Sequence, residues 1–127
     1  MATLLLDTNI LIRVLRGRHD GAQLLTRLLQ ADHIFASCSI TVTEIFAGMN
    51  PSEELRTRAF VGSLSYLPIT PEIAEQAGLL RRDWAKRGQT LSLPDATLAA
   101  VAIAHRCVLV TANVKDFPMP EVTLLAC

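Results

Sequence analysis

Residues 3–9 read Thr3-Leu4-Leu5-Leu6-Asp7-Thr8-Asn9, and the class of the molecule follows from them. The apolar run is short, unbroken and closed by an acid. It does not alternate with polar residues, so it predicts a strand buried on both faces. Such strands belong to parallel sheets with helices on both sides. Just beyond, Ile10, Ile12, Val14 and Leu15 fall at near-helical spacing, and Gly17 is placed to cap the end of that helix.

The same alternation runs down the rest of the chain. Ala22, Leu25, Leu28 and Leu29 form one stripe of a helix over 21–31, with Asp20 as its N-cap. Ile34-Phe35-Ala36 predicts a second buried strand, and Thr41 to Gly48 a helix carrying Glu44. A break at Asn50-Pro51-Ser52 precedes a helix over 53–63 and a third strand over 65–69. Thr70-Pro71-Glu72 has the form of a helix start, with a capping residue, a proline and an acid. Ile73, Ala77, Leu80 and Trp84 continue that helix, and Gly88 stops it. Pro94 to His105 is apolar on nearly every side, which predicts a helix packed between neighbours. Val108-Leu109-Val110 predicts a fourth strand and Val122 to Leu125 a fifth. The expected architecture is α/β, with four to five short, mostly parallel strands between two helical layers.

The 127 residues suit one domain spanning 1–127, with no linker, repeat or low-complexity segment. Half the residues are hydrophobic and the formal net charge is zero, which excludes intrinsic disorder and binding by bulk positive charge alone. Cys38, Cys107 and Cys127 match no metal or disulfide spacing and read as reduced thiols of a cytoplasmic protein. No signal peptide is expected. The apolar run from Ala96 to Ala104 is far shorter than the roughly 20 residues that span a bilayer, so no membrane association is expected.

Open parallel sheets place their sites beyond the carboxyl ends of the strands. Asp7 follows the first strand, and Thr111, Asn113 and Asp116 follow the fourth. Glu44 lies on the helix after the second strand, and Asp95 opens the apolar helix. Four carboxylates at one end of a sheet repel, and a divalent cation resolves the conflict. Mg²⁺ or Mn²⁺ suits an all-carboxylate set, whereas His19, His33 and His105 lie too far apart for zinc spacing. A cation so held supports phosphodiester hydrolysis. With those four acids turned to a metal, eight acids face twelve bases elsewhere. Arg81, Arg82, Lys86 and Arg87 crowd one helix, and Arg13, Arg16 and Arg18 another segment; both read as phosphate contacts or as solvated faces.

Each acid also has a plain structural reading. Asp7 suits the N-cap of the first helix, Glu44 a solvated helix face, Asp95 a first-turn acid and Asp116 a loop. Trp84, Phe46 and Phe60 read as core or dimer-interface residues rather than a stacking platform.

Four pieces taken in order resemble the PIN domain, and within it the VapC-type toxins of toxin–antitoxin pairs. They are Leu6-Asp7-Thr8-Asn9, then Thr43-Glu44-Ile45-Phe46-Ala47-Gly48, then Leu93-Pro94-Asp95-Ala96, then Thr111-Ala112-Asn113-Val114-Lys115-Asp116-Phe117. The resemblance covers essentially the whole chain. It implies a three-layer α/β/α sandwich and a metal-dependent endoribonuclease. It also implies Asp7, Glu44, Asp95 and Asp116 as the catalytic quartet, with Asp7 and Asp95 as direct ligands of Mg²⁺ or Mn²⁺. Glu44 and Asp116 would hold waters of the ion or a second ion. Asn9, Thr111 and Asn113 match positions that orient the carboxylates by hydrogen bonding. The partners it implies are an RNA substrate, a cognate antitoxin and a second copy of the chain.

Two other readings compete. An aspartate-nucleophile phosphatase fits a strand-borne Asp7, yet that chemistry wants an acid where Asn9 stands, and it leaves Glu44 unexplained. A non-catalytic binding protein of the same fold would have to gather four acids without a metal, which is costly.

Overall fold

The computed structural model describes residues 2–17 and 31–127, with Gln23, Thr26 and Arg27 between them. The helix expected over 21–31, its cap at Asp20, and Arg18 and His19 lie outside the described residues, apart from the three named and Ala31.

The strands are β1 (Thr3–Leu6), β2 (Ile34–Ser37), β3 (Ser65–Tyr66), β4 (Val108–Thr111) and β5 (Thr123–Ala126). The helices are α1 (Thr8–Leu15), α2 (Ser39–Gly48), α3 (Glu54–Gly62), α4 (Pro71–Lys86) and α5 (Leu93–Ala104). Short 3-10 turns cover Pro51–Glu53 and Val114–Asp116.

Every strand pair is parallel, and the order across the sheet is β3-β2-β1-β4-β5. β1 therefore lies in the middle, as its unbroken leucines require. Its side chains alternate between two cores. Leu5 faces Ala77, Leu98, Val101 and Leu109 beneath α4 and α5. Leu4 and Leu6 face Ile10, Leu11, Ile45 and Val110 beneath α1 and α2. Three layers result. Burying each such leucine contributes about 1.5–3 kcal/mol.

The caps fix where each helix begins. Thr70 Oγ1 accepts from Ile73 N–H at 3.2 Å, and Ser92 Oγ accepts from Asp95 N–H at 3.1 Å. Gly17 and Gly88 take φ of +63° and +91° after α1 and α4, the left-handed turn that ends helices.

β3 is shorter than the expected 65–69. It is an edge strand with one partner, and its ladder ends once Leu67 N–H has donated to Ser37 O at 2.8 Å. Pro68 has no N–H to continue the ladder. Its carbonyl instead meets His105 Nε2 at 3.1 Å.

Candidate active site

The chain winds from β1 outward through β2 to β3, then returns to the other side of β1 as β4 and β5. The direction of winding thus switches between β1 and β4, the position where α/β sheets open a crevice. In register, Leu6 pairs with Val110, so the next residues, Asp7 and Thr111, face each other across that crevice.

Asp7 is buried and held from three sides. Its main-chain N–H donates to Val110 O at 2.9 Å. Oδ1 accepts from Thr8 N–H at 2.8 Å, and Oδ2 accepts from the Thr111 hydroxyl at 2.7 Å. The helix-cap reading of Asp7 is borne out by the bond from Thr8 N–H, and the second carboxylate oxygen is held across the crevice by Thr111. Thr111 is fully buried, and its hydroxyl also accepts the Asn113 N–H at 3.0 Å. Asn113 contributes to this chain of bonds through its main chain. Asn9 is exposed in the first turn of α1 and makes no side-chain hydrogen bond among the described residues.

Glu44 projects from α2 and is exposed. Its Oε1 accepts the Thr8 hydroxyl at 2.8 Å, which ties α2 to the β1–α1 junction. Sequence reasoning missed Thr8 as a partner. The available signal was its position directly after the strand-terminating acid. The start of α2 is fixed by buried Thr41, whose hydroxyl bonds the main chain of Cys38 in both directions.

Asp95 sits in the first turn of α5 and Asp116 at the end of the second 3-10 turn, both half-buried. The Asp95 carboxyl is pushed above its ordinary value of 3.8, first by burial. The Ser92 hydroxyl pulls it down, while the charges of Asp116, Asp7 and Glu44 push it further up. All three charges acting on Asp95 are negative, so the four carboxylates share one electrostatic neighbourhood.

Residues 4–118 match the family model of the PIN domain. The chain belongs to the PIN domain family. Ribonuclease VapC19 of Mycobacterium tuberculosis is 32% identical to this PIN domain over 115 residues, covering 91% of this chain and 92% of that protein. A toxin–antitoxin complex from Klebsiella pneumoniae matches it with a TM-score of 0.74 and 34% identity, over 94% of this chain and 95% of that one. VapBC2 from Rickettsia felis, solved on a DNA fragment from its promoter, matches with a TM-score of 0.85 over 98% of both chains. At 24% identity that last likeness speaks for the PIN fold alone.

The donors of this PIN domain suit a hard cation. The charges of Asp116, Asp7 and Glu44 all bear on Asp95, and the described histidines are engaged elsewhere, His33 with Ala2 N–H and His105 with Pro68 O. Burial raises the pKa of the Cys38 thiol, which keeps it protonated and unsuited to zinc. Among the described residues no group of three or more His, Cys, Asp or Glu side chains is placed to hold a metal ion. Mg²⁺ does not need one, because it takes one or two carboxylates and keeps several waters.

Proposed function

We propose that this PIN domain is a metal-dependent endoribonuclease, the VapC-type toxin of a toxin–antitoxin pair, acting in the cytoplasm. One observation supports the reading: Asp7 at the carboxyl end of β1 is bonded to Thr111 at the end of β4, its neighbour Thr8 is bonded to Glu44, and the charges of Asp116, Asp7 and Glu44 all bear on Asp95. The names of the relatives support RNA as the substrate and an antitoxin as the partner.

In this reading Asp7 and Asp95 hold Mg²⁺ or Mn²⁺. A cation held by these two carboxylates would neutralise them, polarise a phosphodiester oxygen and ease deprotonation of water. Asp7 is set for its task by Thr8 N–H and the Thr111 hydroxyl, which fix its carboxylate plane. Those two donors suit a fixed ligand and leave little freedom for the phosphatase-type attack considered above. Glu44, anchored by the Thr8 hydroxyl, and Asp116 accept protons from water and orient it toward the phosphorus. The antitoxin is expected to close this acidic crevice, and an arginine inserted among the carboxylates would do so with the best geometry. The protein is expected to act as a homodimer.

The test is cleavage of total cellular RNA by purified protein, with Mn²⁺, with Mg²⁺ and with EDTA, beside Asp7→Asn. Discrete fragments that require both the metal and Asp7 support the proposal. Intact RNA after incubation with folded, antitoxin-free, metal-binding protein favours a non-catalytic PIN-fold binder.

A further inference from the structure

The turn that carries Asp116 has few ties of its own. Within it, Asp116 N–H donates to Asn113 O and Phe117 N–H to Val114 O, both at 3.0 Å. Behind it Phe117 and Met119 are buried and hold the chain to the core. Among the described residues a single hydrogen bond joins Val114–Asp116 to a distant segment: Gln89 Nε2 donates to Lys115 O at 3.1 Å.

Gln89 is itself fixed. Gly88, at φ +91°, ends α4 in the left-handed conformation, and Gln89 N–H folds back onto Trp84 O at 3.1 Å. The 16-residue helix α4 thus presents one amide to one carbonyl. That carbonyl belongs to the planar peptide joining Lys115 to Asp116. Holding its oxygen fixes that plane; the Phe117 N–H bond to Val114 O and the buried Phe117 ring hold the next one, and the two together set the direction in which the Asp116 side chain leaves the backbone.

We propose that Gln89 is a positioning residue for Asp116, setting the fourth carboxylate against the other three from outside the site. The proposal rests on the reading of Asp116 as part of the metal site. Gln89 touches neither metal nor substrate.

The test is calorimetric Mn²⁺ binding to the full chain as wild type, Gln89→Met, Asp116→Asn and the double variant, with melting in EDTA recorded for each. Gln89→Met keeps the length of the side chain and removes its donor. It is expected to weaken Mn²⁺ binding up to about tenfold, the lower end for groups that orient ligands from behind. Its melting temperature in EDTA should stay near that of the wild type, because the residue is half-exposed. In the double variant the Gln89 change should add nothing to the loss from Asp116→Asn, since coupled residues are non-additive. Unchanged affinity in Gln89→Met beside weakened binding in Asp116→Asn overturns the role of Gln89 alone. Full additivity in the double variant does the same. Unchanged affinity in Asp116→Asn overturns the reading of Asp116, and the role of Gln89 with it.

Discussion

Asp95 carries the electrostatic conflict of the site. Its folded carboxyl value lies above 3.8, so the folded state holds the proton more tightly than the unfolded chain does. The sign follows from linkage: the group costs no stability below 3.8, and deprotonation costs stability as pH rises through the folded value. At neutral pH without metal, Asp95→Asn should therefore raise the melting temperature. The gain should shrink as pH falls to 3.8, and Mn²⁺ should stabilise the variant less than the wild type. A variant that melts below the wild type in EDTA at pH 7 would contradict this account. The sequence marks Asp7 and Asp95 by position, one directly after a strand and the other at the start of a helix, whereas Glu44 lies inside α2 and Asp116 in the turn after β4. Their tethers were not legible. The bond from Thr8 to Glu44 joins residues 36 apart in sequence, and only the packing of α1 against α2 brings them together. Asn113 acts through its main chain, which residue type does not reveal.

At the level of elements, the helices were legible where local chemistry marks their ends. Thr70-Pro71 caps α4, and Gly17 and Gly88 turn the chain after α1 and α4, whereas the Ser92 cap, which starts α5 at Leu93 rather than Pro94, was not read. The length of β3 was not legible, because an edge strand ends where its partner's ladder ends. Charge is also partitioned by element. On the α1–α3 side the cations are paired: Arg16 and Arg56 with Glu53, and Arg58 with Glu54. At the end of α4, Arg82 pairs with Asp83, while Lys86 and Arg87 have no carboxylate partner among the described residues. Arg87 instead stacks over Trp84 at 4.6 Å, which leaves its N–H edges open to phosphate. The double variant Lys86→Ala, Arg87→Ala should weaken RNA binding and lower the salt slope of log K by about 2, roughly one per lost phosphate contact. An unchanged slope would make these two residues a solvated face.

Across the whole molecule, neutrality conceals a separation of charge. The negative charges of Asp7, Glu44 and Asp116 bear on Asp95, and bases without a carboxylate partner among the described residues stand at the end of α4, which Gln89 links to the Asp116 turn. The parallel sheet produces this arrangement because all its carboxyl ends point the same way. No helix among the described residues is long and apolar enough to cross a membrane. The function proposed above requires that these carboxylates hold a divalent cation. Its most direct test is Mn²⁺ binding, measured by calorimetry without RNA, for the wild type, Asp7→Asn, Asp95→Asn and Glu54→Gln. Saturable binding is expected for the wild type and for Glu54→Gln, whose carboxylate lies on α3 and pairs with Arg58, with loss of binding in the two aspartate variants while both stay folded. Equal Mn²⁺ binding by all four proteins would contradict it.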